Sequence, residues 1–308
     1  MRSWRGLTDI PGDWPGGVVT IGYFDGVHRG HQKIISRAVG LARARALPCV
    51  ALTFDPHPAE IIRPGTHPAA LTTPSHKAEL LAGLGIDVLC VLPFTVELSH
   101  VTAEEFDRDV VAGALRACVV VIGENFTYGH RAAGTVDVLR ADGKTLGYDV
   151  ESVSLLAEQT DVLSSTMIRQ RIAAGDVETA ARALGRPHRL EGVVVHGDAR
   201  GRTIGYPTAN LDPTPPYAAV PADGVYAGHA VRADGSRHRA AISIGTNPTF
   251  DGTVRRVEAY LLDFDDDLYD EYLAFEFTAR LRPTLRFASV DELTTQMARD
   301  VAATRAMT

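Results

Sequence analysis

In its first 150 residues the chain alternates short apolar runs with longer stretches whose apolar residues recur every three or four positions. Val18, Val19, Thr20 and Ile21 form a short β-branched run closed by Gly22. Ile34, Ile35, Ala38, Val39, Leu41 and Ala42 then share one helical face, which predicts an amphipathic helix near residues 30–46. Strands are predicted over residues 50–54, 88–92 and 119–122, with helices over 75–84 and from Thr102 onward. At that last start Thr102 and Glu105 stand at capping-box spacing. Strands that are apolar at nearly every position are buried on both faces, so these imply a parallel sheet covered on each side by helices.

The pattern changes at Leu184-Gly185-Arg186-Pro187. Beyond it lie β-like stretches broken by Gly, Pro and Asp, over residues 190–195, 225–231, 240–244, 257–264 and 273–277. No helical period separates them, which predicts a small antiparallel barrel or sandwich. Leu293, Met297 and Val301 share one face within residues 290–303 and predict a closing helix. No internal repeat is present, and compositional bias is confined to Pro213-Thr214-Pro215-Pro216.

Composition narrows the class. A length of 308 residues with 45% hydrophobic and 22% charged content suits two folded domains and excludes intrinsic disorder. No run approaches the ~18 apolar residues of a membrane span. The 38 acidic residues outnumber the 31 basic ones, for a net charge of −7, which argues against a nucleic-acid binder. Cys49, Cys90 and Cys118 stand singly in apolar runs and read as reduced core residues. The first residues carry no apolar leader segment, so a cytoplasmic protein without a membrane partner is expected. Self-association is left open.

Candidate chemistry begins where the first strand meets the first helix, at Gly22-Tyr23-Phe24-Asp25-Gly26-Val27-His28-Arg29-Gly30-His31. Ligands of open parallel sheets bind outside the carboxyl ends of the strands, and a helix start offers free N–H groups to phosphate. His28 and His31 share a face of the opening turn and can hydrogen-bond phosphate oxygens, although such a pair also caps or packs a helix start. Ser164, Ser165 and Thr166 precede a second apolar-periodic stretch, and Arg169 adds a charge suited to phosphate; the serines are equally an ordinary N-cap cluster. Asn125 follows the predicted strand at 119–122.

The turn resembles the H-x-G-H motif of nucleotidyltransferases. Phe54-Asp55-Pro56-His57-Pro58, Gly123-Glu124-Asn125-Phe126-Thr127-Tyr128-Gly129 and Ser164-Ser165-Thr166-Met167-Ile168-Arg169 narrow the resemblance to the bacterial bifunctional riboflavin kinase/FAD synthetase family. By that resemblance Gly22, Phe24, Asp25, Gly30, Asn125, Ser164, Ser165, Thr166 and Arg169 bind ATP or FMN. His28 and His31 would stabilise departing pyrophosphate.

A second cluster runs from Gly192 through His196-Gly197-Asp198-Ala199-Arg200-Gly201-Arg202-Thr203-Ile204-Gly205-Tyr206-Pro207-Thr208-Ala209-Asn210. Its glycines and arginines can form a phosphate-contacting loop. Thr208 and Asn210 are alternate residues of an extended segment, so their hard oxygen ligands face one way and suit Mg2+. This run resembles the riboflavin kinase module, as do Ile244-Gly245-Thr246-Asn247-Pro248-Thr249-Phe250 and Val257-Glu258-Ala259-Tyr260. The resemblance makes Glu258 the general base toward the riboflavin 5′-hydroxyl. It places Gly197, Arg200, Gly201, Arg202, Gly205, Pro207 and Asn247 around ATP and flavin.

Two false leads are set aside. The acidic run at Asp263, Asp265, Asp266 and Asp267 lacks the offsets of an EF-hand and reads as a solvated turn. Gly143-Lys144-Thr145 lacks the first glycine of a Walker A loop, since Val138 stands there. Tyr23, Tyr260, Asp270 and Thr284 depart from residues common in the family.

The expected fold is α/β followed by β. A Rossmann-like nucleotidyltransferase domain with a parallel sheet (1–184) precedes a small antiparallel β-barrel with a C-terminal helix (185–308). The resemblance implies two ATP-dependent steps, riboflavin to FMN in the second domain and FMN to FAD in the first. An enzyme keeping one activity and a flavin-binding regulatory protein are the rivals. The retained histidines and Glu258 weigh against both.

Overall fold

A computed structural model describes residues 1–158, 161–197, 201, 204–246 and 255–307. The chain forms two compact units, Met1–Pro68 with Pro74–Leu163, and Ala69–Thr73 with Ser164–Thr308.

In the first unit six strands make one parallel sheet: β1 (Arg2–Arg5), β2 (Gly17–Ile21), β3 (Cys49–Asp55), β4 (Val88–Pro93), β5 (Ala117–Gly123) and β6 (Asp149–Val153). Their order is β1-β4-β3-β2-β5-β6, so the direction of winding reverses between β2 and β5. Alternate residues enter different cores. Val19, Ile21, Val50, Leu52, Val120 and Ile122 pack on one face, while Val18, Cys49, Ala51, Val119 and Val121 pack on the other. The second face is closed by helix α1 (Arg29–Ala44) through Ile35, Ala38 and Ala42, and by α3 (Pro74–Gly83) through Leu81. A short helix, α2 (Pro58–Ile62), follows β3. This is the doubly covered parallel sheet that the continuous apolar strands predict. Burial pushes the Cys49 and Cys90 thiols up to about 12, which keeps both protonated.

Of the six strands of this sheet, β1 and β6 escape the sequence reading, and both are edges. β1 carries Arg2, Ser3 and Arg5, and β6 carries Asp149, Glu151 and Ser152, because an edge strand is buried on fewer sides. The Thr102–Glu105 capping box forms as predicted. The helix it opens, however, passes at Phe106 into a nine-residue π-helix, Phe106–Ala114.

The second unit begins with helices Ser165–Ala173 and Val177–Leu184, whose Val177 enters the barrel core. Six antiparallel strands then close a barrel in the order β10-β13-β12-β11-β14-β9. They are β9 (His188–Val195), β10 (Ala209–Pro213), β11 (Gly224–Arg232), β12 (Arg237–Gly245), β13 (Arg256–Leu261) and β14 (Tyr272–Arg282). A two-stranded antiparallel ribbon, β7 (Ala157–Glu158) with β8 (Asp161–Val162), belongs to the first unit.

The closing helix runs over Val290–Met307, longer than the apolar period suggests. Leu293, Met297 and Val301 are only half-buried; the buried positions are Asp300 and Thr304. Asp300 accepts from the Arg282 guanidinium at 2.7–3.0 Å and from Gln296 Nε2 at 2.9 Å. A polar latch therefore fixes this helix. Removing one partner of a buried ion pair strands the other, so Asp300→Ala should destabilise the second unit by ~3 kcal/mol. Differential scanning calorimetry should show that unit's transition moving down.

Candidate active sites

The first site is the turn between β2 and α1, at the carboxyl edge of the sheet beside its reversal point. His28 is buried and caps α1, its Nδ1 accepting the His31 N–H at 3.3 Å. That acceptor role puts the proton of a neutral His28 ring on Nε2. The two imidazoles are stacked, with centroids 3.7 Å apart and planes 21° from parallel. Phe24 meets His31 edge-on at 5.4 Å.

Burial, then the neighbouring His28 and Lys77, hold the His31 imidazole well below its ordinary 6.5. Its buried Nδ1 has no hydrogen-bond partner among the described residues. The stack needs Gly30: a Cβ there would lie 3.0 Å from His28 Nδ1 and Cε1. Gly22 is similarly tight, since its Cβ would stand 2.9 Å from the Phe24 ring.

The turn is strained. Phe24 and Val27 hold φ at 54° and 39°, unfavourable for side-chain-bearing residues and worst for a β-branched one. Asp25 is buried within the 3-10 turn Asp25–Val27. Asn125, after β5, is exposed; Gly123 leaves room between its Oδ1 and Ile34 of α1.

Two features here lie beyond the sequence reading. The first is a cavity of about 1100 Å3 at the ends of β3, β4 and β5, walled by Phe54, Phe94, Phe106, Phe126 and Tyr128. Phe126 stacks on Tyr128 at 5.3 Å, and the Tyr128 hydroxyl donates to buried Asp107 at 2.5 Å. Burial, reinforced by Asp142, raises the Asp107 carboxyl to about 7. The second feature is Lys77 of α3, whose Nζ donates to the Tyr23 carbonyl at 3.2 Å and to Thr53 Oγ1 at 3.5 Å. Nothing in the apolar period around Lys77 distinguishes it from a solvated helix lysine.

Ser164 to Arg169 belong to the second unit. Ser164 caps its helix by accepting the Met167 N–H at 3.2 Å, the ordinary role open to such a cluster. Ser165 is half-buried and Thr166 exposed. Arg169 Nε is anchored on the Ala69 carbonyl at 2.6 Å.

The barrel site forms where β10 pairs with β13. Asn210 stands opposite Glu258 in register, and Thr208 Oγ1 donates to Glu258 Oε2 at 3.5 Å. Asn210 is buried, and its Oδ1 has no partner among the described residues. Gly197 must lack a side chain because its Cβ would fall 2.3 Å from Asn210 Nδ2. At Gly201 a Cβ would fall 2.2 Å from the Tyr206 carbonyl, and Gly205 holds φ at +86°. A cavity of about 590 Å3 opens beside Pro207 and Thr208, with exposed Asp265, Asp266 and Asp267 on its rim. Arg200, Arg202 and Asn247 lie outside the described residues.

Comparison with known proteins decides the family. A family model described as FAD synthetase matches residues 10–167, and one described as riboflavin kinase matches residues 184–308. The bifunctional riboflavin kinase/FMN adenylyltransferase of Listeria monocytogenes is 38% identical over 94% of this chain and 91% of its own. The same-named proteins of Escherichia coli K12 and Pseudomonas fluorescens are 36% and 37% identical over 97% and 100% of this chain, and 95% and 98% of their own. The chain belongs to the bifunctional riboflavin kinase/FMN adenylyltransferase family.

Its N-terminal half is the adenylyltransferase and its C-terminal half the kinase. A crystal structure described as a macrolide-efflux protein from Streptococcus pneumoniae, 35% identical, superposes over 99% of both chains with a TM-score of 0.89. No helix among the described residues of this chain is long and apolar enough to cross a membrane.

The departures from the family pattern have local explanations. In the adenylyltransferase half, the Tyr23 ring lies between His57, at 4.2 Å, and the Lys77 ammonium, at 4.3 Å. In the kinase half, Tyr260 packs edge-on against Tyr206 at 5.2 Å. Asp270 holds φ at 62°, a conformation that explains why glycine is frequent there and that aspartate tolerates. Thr284 Oγ1 would be 3.2 Å from a Cβ on Gly245.

Two outcomes follow for the adenylyltransferase half. Gly30→Ala pushes on the His28 ring and should slow FAD formation by ~10–100-fold, with riboflavin phosphorylation unchanged, in parallel assays of both reactions. Because folded His31 resists protonation, the unfolded chain binds more protons just below 6.5, and stability falls as pH drops through that value. Urea unfolding followed by tryptophan emission should show this slope, and His31→Gln should flatten it.

Proposed function

We propose that the adenylyltransferase half joins AMP to FMN at the β2–α1 turn, and that the kinase half phosphorylates riboflavin at Thr208, Asn210 and Glu258. The observation that carries the first assignment is the stacked, Gly30-dependent imidazole pair at the sheet's reversal point. The aromatic cavity along the same edge suits the flat isoalloxazine ring of FMN. An FMN phosphate oxygen attacks the α-phosphorus of ATP; the new P–O bond forms as the bond to the β-phosphate bridge breaks and pyrophosphate leaves. The imidazoles of His28 and His31 meet the developing charge with N–H donors and need not transfer a proton. Gly22, Phe24 and Asp25 shape the turn, and Asn125 flanks it. Ser164, Ser165, Thr166 and Arg169 are assigned to ATP by family resemblance.

In the kinase half Glu258 takes the proton of the riboflavin 5′-hydroxyl as that oxygen attacks the γ-phosphorus of a second ATP; the bond from that phosphorus to the β–γ bridging oxygen breaks and ADP leaves. The buried Oδ1 of Asn210, without a partner among the described residues, together with the Thr208 hydroxyl supports Mg2+ as cofactor, with these two residues holding it. Bound there, the ion neutralises phosphate charge. Gly197, Gly201, Gly205 and Pro207 shape the loop around the nucleotide, and Arg200, Arg202 and Asn247 are assigned by resemblance alone. Both steps draw on ATP, which fits a cytoplasmic enzyme, and FMN made by one half is the acceptor of the other.

The test is separation of the two reactions. Glu258→Ala should abolish FMN formation and leave FMN-to-FAD conversion intact, and His28→Ala should do the converse. Chromatographic resolution of riboflavin, FMN and FAD reads both. Equal loss of the two reactions in either variant overturns the two-centre reading.

A further inference from the structure

Lys77 is a cation without an adequate counter-charge. It lies on α3, which packs against the Asp25–Val27 turn just ahead of His28. Its side chain is half-buried although its helix has an exposed side to which a lysine normally points. Two of the three ammonium N–H groups go to neutral acceptors, the Tyr23 carbonyl and Thr53 Oγ1. Those atoms follow or belong to β2 and β3, at the carboxyl edge where the proposed nucleotide site lies.

The Tyr23 ring covers another side of the ammonium at 4.3 Å. No carboxylate among the described residues lies within 4 Å of it. Burial lowers the Lys77 pKa, and Asp25 and Asp55, acting from farther off, offset that only in part. Its charge is felt at His31. Burying a charge is unfavourable unless something compensates it, and neutral acceptors do so only in part.

We propose that Lys77 is a catalytic residue of adenylyl transfer, its remaining N–H donating to the polyphosphate oxygens of ATP and of the departing pyrophosphate. The inference rests on the reading that ATP binds at the β2–α1 turn. The Tyr23 carbonyl and ring hold the ammonium in place, so this chain's departure at Tyr23 serves the cation. The buried His31 ring, held neutral, gives a donor without net charge, and Lys77 supplies a fixed positive charge beside it.

Lys77→Met keeps the stem and removes the charge, and Lys77→Arg keeps the charge. FAD formation, riboflavin phosphorylation and product inhibition by pyrophosphate are measured on the full-length enzyme, with His28→Ala alongside. Lys77→Met should lower kcat/KM for ATP in FAD formation by roughly a hundredfold and weaken pyrophosphate inhibition about tenfold, with Lys77→Arg recovering most of both. Riboflavin phosphorylation should stay within about twofold in each variant, which excludes global misfolding.

A Lys77→Met enzyme with near-normal FAD formation, while His28→Ala is inactive, overturns the role of Lys77 alone. Equal losses in Met and Arg variants with unchanged pyrophosphate inhibition would assign it to structure and overturn the proposal as well. An active His28→Ala enzyme removes the nucleotide-site reading on which the proposal stands.

Discussion

A side chain at Gly30 would stand 3.0 Å from the His28 ring, and the adenylyltransferase half is organised around the room that glycine leaves. Because the ring fits there, His28 Nδ1 can accept the His31 N–H and the imidazoles can stack. Because His31 is buried beside His28 and Lys77, its ring stays neutral near neutrality and keeps a single N–H donor. The positive φ values of Phe24 and Val27 are a strain that the surrounding packing must outweigh, and such strain persists only where the fold over-determines it.

The two halves build their candidate sites on different backbones. The open parallel sheet uses the place where its winding reverses, which leaves a crevice at the strand ends. The closed barrel has no such crevice. It uses instead the pairing of β10 with β13, which sets Asn210 opposite Glu258, and a glycine-bearing loop that would clash with Asn210 if Gly197 carried a Cβ. In both halves a glycine's missing atom is what lets a functional side chain occupy its position.

Much of this was legible in the sequence, for physical reasons that also mark where legibility ended. Central strands of a doubly covered sheet are apolar at every position, so β2, β3, β4 and β5 announce themselves. β1 and β6 are edges with charged residues and do not. The His28–His31 spacing showed a shared face but not the stacking, which depends on ring rotation. The capping box at Thr102 was readable, whereas the π-helical continuation was not, because its altered hydrogen bonding leaves no distinct hydrophobic period over nine residues. The terminal helix was foreseen by its apolar face and is held by Asp300 instead, a buried polar pair that periodicity cannot reveal. Lys77 and the aromatic wall of the cavity are contributed by separate elements, and only the folded chain brings them to one edge.

The strand order has a consequence for how the molecule is made. β1 is synthesised before β4, Val88–Pro93, with which it pairs at the edge of the sheet among the described residues. Until β4 is made Trp4 lacks its strand partner, and of the contacts it has in the folded protein the edge-on one with Trp14, centroids 4.9 Å apart, is available early. A nascent chain paused before β4 exposes an indole that the finished protein buries, which makes the interval a natural point for a holding chaperone to engage.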